Sequence, residues 1–196
     1  MKCLLTESEC HAILLDLIYQ HDTMMAVLDH AKKLDLSSWA IGAGAIRALV
    51  WDELHGMKVP SHVPDWDLIY YDTPSSSDDD AAIRAHMHDA FPQFEWDVVN
   101  QAHVHRWLAV HLGRAISPFP DLISAIASWP EIATCVGVSL EESGQVKIHA
   151  PYGLQDLFSL CVRRNVACLD REAFAIRRLT KQWERRWSQL VWLDDL

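Results

Sequence analysis

The sequence predicts an α/β protein of the α+β type, a small sheet packed by helices. Three observations carry this. Apolar residues recur at helical spacing near the amino end, at Ile13, Leu14, Leu17 and Ile18. Short β-rich runs then alternate with helical stretches through the middle of the chain, and helical patterns return after Gly153. The 196 residues, 50% hydrophobic and 22% charged, have the composition of an ordinary globular domain. A chain of this length buries roughly 70% of its unfolded surface and needs no staples.

Thr6 with Glu9 forms a capping box, so the first helix starts near Glu7. A second is expected from about Thr23 to Lys33. Trp39-Ala40-Ile41 reads as a short strand that ends in Gly42-Ala43-Gly44, and the Ala-, Leu- and Trp-rich stretch after it as a helix to about His55, stopped by Gly56. Pro60 and Pro64 bracket a loop leading into Trp66-Asp67-Leu68-Ile69-Tyr70-Tyr71, a central strand. Ser75 to Asp80 reads as a loop ending in helix-capping residues, with the helix reaching about Ala90. Glu95 to Gln101 is the next strand and Asp121 to Ser128 a helical stretch. Val136–Leu140 and Val146–Ala150 flank Glu142-Ser143-Gly144 as a hairpin. Two helices, near Gly153 to Val162 and Arg171 to Trp187, close a single domain organised as N-terminal helices (1–35), an α/β core (36–150) and a helical part (151–196).

Seventeen basic against twenty-seven acidic residues leave a formal charge of −10, which argues against a general nucleic-acid binder. The charge is uneven. Cys161 to Ser188 carries +5 and the remainder −15, so a basic wall beside an acidic site is one reading and a solvated helix surface the other. The five cysteines (Cys3, Cys10, Cys135, Cys161, Cys168) are odd in number and lack C-x-x-C spacing, which speaks against a disulfide framework and a cysteine zinc site. A reducing, cytoplasmic setting follows. No apolar run approaches the roughly 18 residues of a membrane span.

The chemistry concentrates in two places. A strand, a Gly-x-Gly turn and a helix carrying Arg47 offer backbone N–H groups and a positive dipole end to an anion such as phosphate. Glycines needed only for a tight turn explain the same residues. A dinucleotide fingerprint fails because its third glycine is Arg47, and no P-loop motif occurs. On an extended strand, Asp65 and Asp67 project from one face about 7 Å apart. Two such carboxylates can share Mg²⁺, which favours a few carboxylates together with phosphate oxygens. Glu95 and Asp97 repeat the alternation on the next strand, and Asp97 is the better third carboxylate, to hold metal and help orient or deprotonate a hydroxyl. Acids on the solvent face of an amphipathic sheet are the plainer reading.

A phosphate-cradling turn, then D-x-D on one strand, then an acid on a later strand resembles the DNA polymerase beta nucleotidyltransferase superfamily. Further blocks extend the resemblance, among them Ile41 to Arg47, Val50-Trp51-Asp52, Leu54-His55-Gly56, Trp96 to Ala102, Ser128-Trp129-Pro130-Glu131 and Ala150 to Leu154. Together they are similar to a microbial family of single-domain nucleotidyltransferases with largely unassigned substrates, over about Trp39 to Leu190. The resemblance implies a small, mixed, mostly antiparallel sheet packed by helices. It implies an NTP and two divalent ions, Mg²⁺ or Mn²⁺ in its place, with Gly42, Gly44 and Arg47 at the triphosphate and Asp65, Asp67 and Asp97 as metal ligands and catalytic acids. It implies NMP transfer to a hydroxyl or phosphate of an unknown acceptor (small molecule, RNA or protein), with release of pyrophosphate. The alternative on the same fold is a nucleotide- or partner-binding module without turnover, as in antitoxin-like members. Three departures stand out: Ala43 separates the two glycines, Pro64 precedes Asp65, and Arg164 follows Arg163 where a proline is expected.

Asn100 and His105 fall in a family-like block and are candidates for substrate or supporting roles, as are Tyr152 and Asp156 after the hairpin, beside Asn165. His86-Met87-His88 and His103-Val104-His105, with His111, invite a zinc reading because imidazoles two apart on a strand can chelate; the missing cysteine partners oppose it. Of the nine tryptophans, Trp66, Trp96 and Trp107 lie near the candidate site in sequence, and one can stack on a nucleobase while most fill the core.

Overall fold

The computed structural model describes residues 5–63 and 65–193, so Cys3 and Pro64 lie outside the described residues. Helices α1 (Glu7–Tyr19) and α2 (Asp22–Lys32) begin the chain. The Thr6–Glu9 capping box is formed, with the Glu9 carboxylate accepting from the Thr6 amide at 2.7 Å. Strand β1 (Trp39–Gly42) runs into α3 (Ala43–Leu54), followed by β2 (Asp65–Tyr70), α4 (Ser77–Ala90), β3 (Glu95–Asn100), α5 (Val104–Leu112) and α6 (Leu122–Ile126). The hairpin is β4 (Gly137–Leu140) and β5 (Val146–His149), and α7 (Gln155–Phe158), β6 (Cys161–Arg163), α8 (Ala173–Lys181) and β7 (Val191–Leu193) complete the fold.

Five strands form one sheet in the order β3-β2-β1-β4-β5. Within this sheet β2 and β3 pair parallel, as their α4 crossover allows, and the other three pairings are antiparallel. The mixed, mostly antiparallel sheet is as expected. Trp39, Ile41, Trp66, Leu68, Tyr70, Trp96 and Val98 turn to one side and join α1, α2 and α3 in the main core. Ala40 and Ile69 turn to the other and pack on Leu122, Ile126 and Cys135. This period-two division leaves the second face free, over β2 and β3, for polar side chains.

Three segments differ from expectation. His103-Val104-His105 opens helix α5 and is not a strand. The helix expected over 153–162 is the four-residue α7, after which Leu160 takes φ 59 and the chain enters β6. The helix expected over 171–187 stops at Lys181, where Gln182 adopts φ 46, and a 3-10 turn Trp183–Arg185 follows. The C-terminal part thus also holds a two-stranded sheet, β6 with β7. No helix among the described residues is long and apolar enough to cross a membrane.

Candidate active site

Alternation on β2 places Asp65, Asp67 and Ile69 on the free face, and alternation on β3 places Asp97, Val99 and Gln101 there; all six line one cavity of about 440 Å³. The parallel register sets Asp67 directly against Asp97, and Asp65 against Glu95. Asp67 lies deepest. Its carboxyl is pushed up to about 6, first by burial and then by the negative charge of Asp97, with Asp65 adding to it; a hydrogen bond from the Gly44 amide and the charge of Arg47 pull the other way. Asp65 and Asp97 are exposed to the cavity.

The glycine turn enters from β1. A Cβ on Gly42 would stand 2.9 Å from the Trp129 ring, and one on Gly44 would stand 3.4 Å from the Asp65 carbonyl and 3.6 Å from an Asp67 carboxylate oxygen. Gly42 needs glycine for its close approach to Trp129, whereas a Cβ at Gly44 would meet its neighbours at ordinary contact distance, and the interposed Ala43 carries the strained φ of 27. The Gly44 N–H, offered by the sequence to phosphate, is directed at Asp67. Gly44 and Ala43 line the cavity; Gly42 supports it from behind against Trp129.

Arg47 also lines the cavity and is only 9% exposed. Its guanidinium sits 4.3 Å from the ring centre of Trp183, 5.5 Å from that of Trp51 and 5.8 Å from that of Trp187. Its Nε is buried with no hydrogen-bond partner among the described residues. Burial and the nearby charge of Arg177 push it down to about 10, against the pull of Glu131 and Asp67, so it remains a cation at neutral pH. Trp51 and Trp187 are themselves fixed, the first donating to the Leu157 carbonyl at 3.0 Å and the second to the Asp52 carboxylate at 2.8 Å.

Arg177 and Lys181 of α8 complete the basic side of the cavity. Arg177 donates from Nε to the fully buried Glu131 at 2.6 Å, and Glu131 also accepts from Thr134. The sequence pattern did not reveal this pair, nor the Trp183–Trp187 cage around Arg47, because each joins segments distant in the chain.

The remaining candidates stand outside the cavity lining. Asn100 is buried; its Nδ2 donates to the Asp72 carbonyl and the Ser75 hydroxyl, each at 2.6 Å, and its Oδ1 accepts from the Asp72 and Ala102 amides, so it pins the loop after β2. His105 holds a buried Nδ1 with no hydrogen-bond partner among the described residues. Tyr152 donates to the Ala127 carbonyl at 2.8 Å, and Asn165 donates to the Ala127 and Trp129 carbonyls, so both brace the Ser128-Trp129-Pro130 wall from behind. Asp156 accepts from Arg163 at 2.7 Å. The histidines do not converge: His103 meets the Ser75 carbonyl, His111 meets Asp170, and His86 stacks on His30. Among the described residues no three acidic, histidine or cysteine side chains stand close enough to hold a metal ion as they are. Of the tryptophans, Trp66 and Trp96 pack with Phe94 in the core, whereas Trp107 lines the cavity.

Known proteins agree with this architecture. A solution structure described as revealing a CCA-adding enzyme head domain superposes with a TM-score of 0.79 at 27% identity, covering 93% of this chain and 95% of that one. A CCA-adding enzyme in complex with CTP superposes with a TM-score of 0.52 at 12% identity; 93% of this chain covers 43% of that larger one, a likeness of fold alone. No curated protein matches the chain. The sequence profile described as nucleotidyltransferase matches residues 29–192, from α2 through β7 and so across every residue lining the cavity, and the chain belongs to that nucleotidyltransferase family.

Proposed function

We propose that the chain moves a nucleoside monophosphate from an NTP to a hydroxyl or phosphate acceptor, releasing pyrophosphate, in a reaction that depends on Mg²⁺ or Mn²⁺. The observation that carries this reading is the polarity of a single cavity. At one side a buried guanidinium, Arg47, has an Nε with no hydrogen-bond partner among the described residues; at another, Asp67 and Asp97 stand opposite each other on paired strands, and the charge of Asp97 raises the Asp67 carboxyl. A polyphosphate answers the first demand and a divalent cation the second.

Three carboxylates supply the hard oxygen donors that Mg²⁺ prefers, and the strain on Asp67 is what a bound cation relieves, so Asp65, Asp67 and Asp97 fit the group. When bound, the ions neutralise charge on the phosphates and on the departing oxygen. The chain's own residues do the rest. Gly44, which lines the cavity without a side chain, lets the triphosphate approach α3 closely, and Gly42 leaves room for Trp129 behind the turn. Arg47, packed among its tryptophans, meets the triphosphate, and Lys181 adds charge to the cavity wall. Asp97, exposed on the cavity side of β3, takes the proton of the acceptor hydroxyl as its oxygen bonds to the α-phosphorus and the bond to the pyrophosphate oxygen breaks. A CCA-adding enzyme of the same fold has been solved with CTP, which makes a nucleoside triphosphate the first ligand to try.

The experiment is calorimetric titration of ATP, CTP, GTP and UTP, with and without Mg²⁺, into the wild type and into Asp65→Asn/Asp67→Asn. Metal-dependent binding by the wild type, lost in the double variant, is the expected result. No binding by folded wild type overturns the reading. A second reading, a binding module without turnover, draws on the absence of a ready three-ligand cluster among the described residues. Release of pyrophosphate in the presence of cell extract as acceptor source distinguishes the two.

A further inference from the structure

We propose, on the basis of the nucleotide reading above, that Trp107 is the platform on which the nucleobase stacks. Of the three tryptophans near the site in sequence, Trp66 and Trp96 are buried at 5% and 6% exposure, while Trp107 is 57% exposed and forms part of the cavity wall. A tryptophan leaves much apolar surface in water when it stands free, and a flat π-system is the ligand best suited to cover it.

The platform is anchored. One helical turn beyond Trp107, His111 meets the Asp170 carboxylate at 3.0 Å, and Arg114 donates to the Leu169 carbonyl at 3.2 Å, so α5 is clamped to the segment that leads into α8. Trp107 and His111 lie on the same side of α5, their ring centres 6.3 Å apart. Leu108 and Leu169 add apolar surface to the same cavity. The cations stand elsewhere. Arg177 lies in the middle of α8 and Lys181 at its far end, about 12 Å along the axis from Ala173 at the near end. With α5 tied to the segment ahead of α8 and the cations farther along that helix, the cavity offers both an aromatic surface and a cationic one, as a ligand with a flat base and a polyphosphate requires.

Stacking accepts any base, since each presents a π-face, so Trp107 contributes affinity without choosing among the four. The test measures affinity of wild type, Trp107→Ala and Trp107→Phe for ATP, CTP, GTP and UTP with Mg²⁺, and for inorganic tripolyphosphate as a probe without a base. Trp107→Ala is expected to weaken all four nucleotides by roughly 10- to 100-fold and to leave tripolyphosphate binding unchanged, with Trp107→Phe restoring most of the loss. Because Trp107 stands outside the core, the melting temperature of both variants serves as the control for folding. Unchanged nucleotide affinity in Trp107→Ala, or an equal loss for tripolyphosphate, overturns the platform. Wild type that binds neither nucleotide nor tripolyphosphate overturns the nucleotide site itself, and the platform with it.

Discussion

Asp67 is the residue on which the site's electrostatics turn. Its carboxyl, near 3.9 in an unfolded chain, titrates at about 6 in the folded one. Between these values the native state binds more protons than the unfolded state, so this group lowers stability as pH rises from about 4 to 6 and then levels off. The neutral isostere cannot ionise. In chelator-treated buffer Asp67→Asn is therefore expected to be more stable than wild type at pH 8, by on the order of 1–2 kcal/mol, and no more stable at pH 4. Urea unfolding at the two pH values checks this, and a variant less stable at pH 8 would show that the Gly44 hydrogen bond outweighs the repulsion. The acids were legible in the sequence because the two-residue period of a strand fixes the face of every side chain. The partner of Asp67 across the ladder was not, since register depends on the pairing of β2 with β3 and no local pattern encodes it.

Helix α8 shows what an element's pattern conceals. Its basic residues read equally as a solvated face or a polyanion track, yet Arg177 is bonded to a Glu131 that has no exposed surface. Removing one partner of such a pair leaves a buried charge uncompensated. Arg177→Ala is expected to lose about 3 kcal/mol of stability, and Glu131→Gln/Arg177→Met to recover most of it, as measured by denaturant midpoints at equal slope. Charge reversal at Arg177 would thus report on folding before it reported on any ligand. The same scale explains the misread elements. His103-Val104-His105 has too short a pattern to separate strand from helix, and Val104 with Leu108 supplies the helical spacing one turn later. Strands β6 and β7 have three residues each, below the length at which alternation becomes visible, and α8 ends at Gln182 in a left-handed conformation that no glycine announces. The capped helices and the β4–β5 hairpin, whose signals are local, appear where expected.

At the scale of the whole molecule, His149 is a buried contributor to acid sensitivity, together with His30, whose imidazole burial also pushes down. Burial pushes the His149 imidazole down to about 4, with the charge of Lys147 acting in the same direction, and its Nε2 lies 2.8 Å from the Ser139 hydroxyl across the hairpin. Between about pH 4 and the ordinary value of 6.5, the unfolded chain binds the proton and the native chain does not, so the native state loses stability as pH falls through that window. Asp67 acts with the opposite slope between 4 and 6 and masks part of the loss. His149→Gln, which keeps a hydrogen-bonding group for Ser139, is expected to lose less melting temperature than wild type between pH 7 and 5; parallel profiles would assign the acid loss to other groups, His30 among them. None of this was readable before the hairpin's burial was known.

The cage around Arg47 joins α3 to the turn after α8, so its rings come from segments 132 or more residues apart, Trp51 against Trp183 and Trp187. A chain emerging from the ribosome exposes the glycine turn and all three carboxylates long before Trp183 and Trp187 exist. Until those two residues fold back, Arg47 lacks two of its three stacking surfaces. Closure over so long a sequence separation is also slow, because loop entropy must be lost before the contacts form.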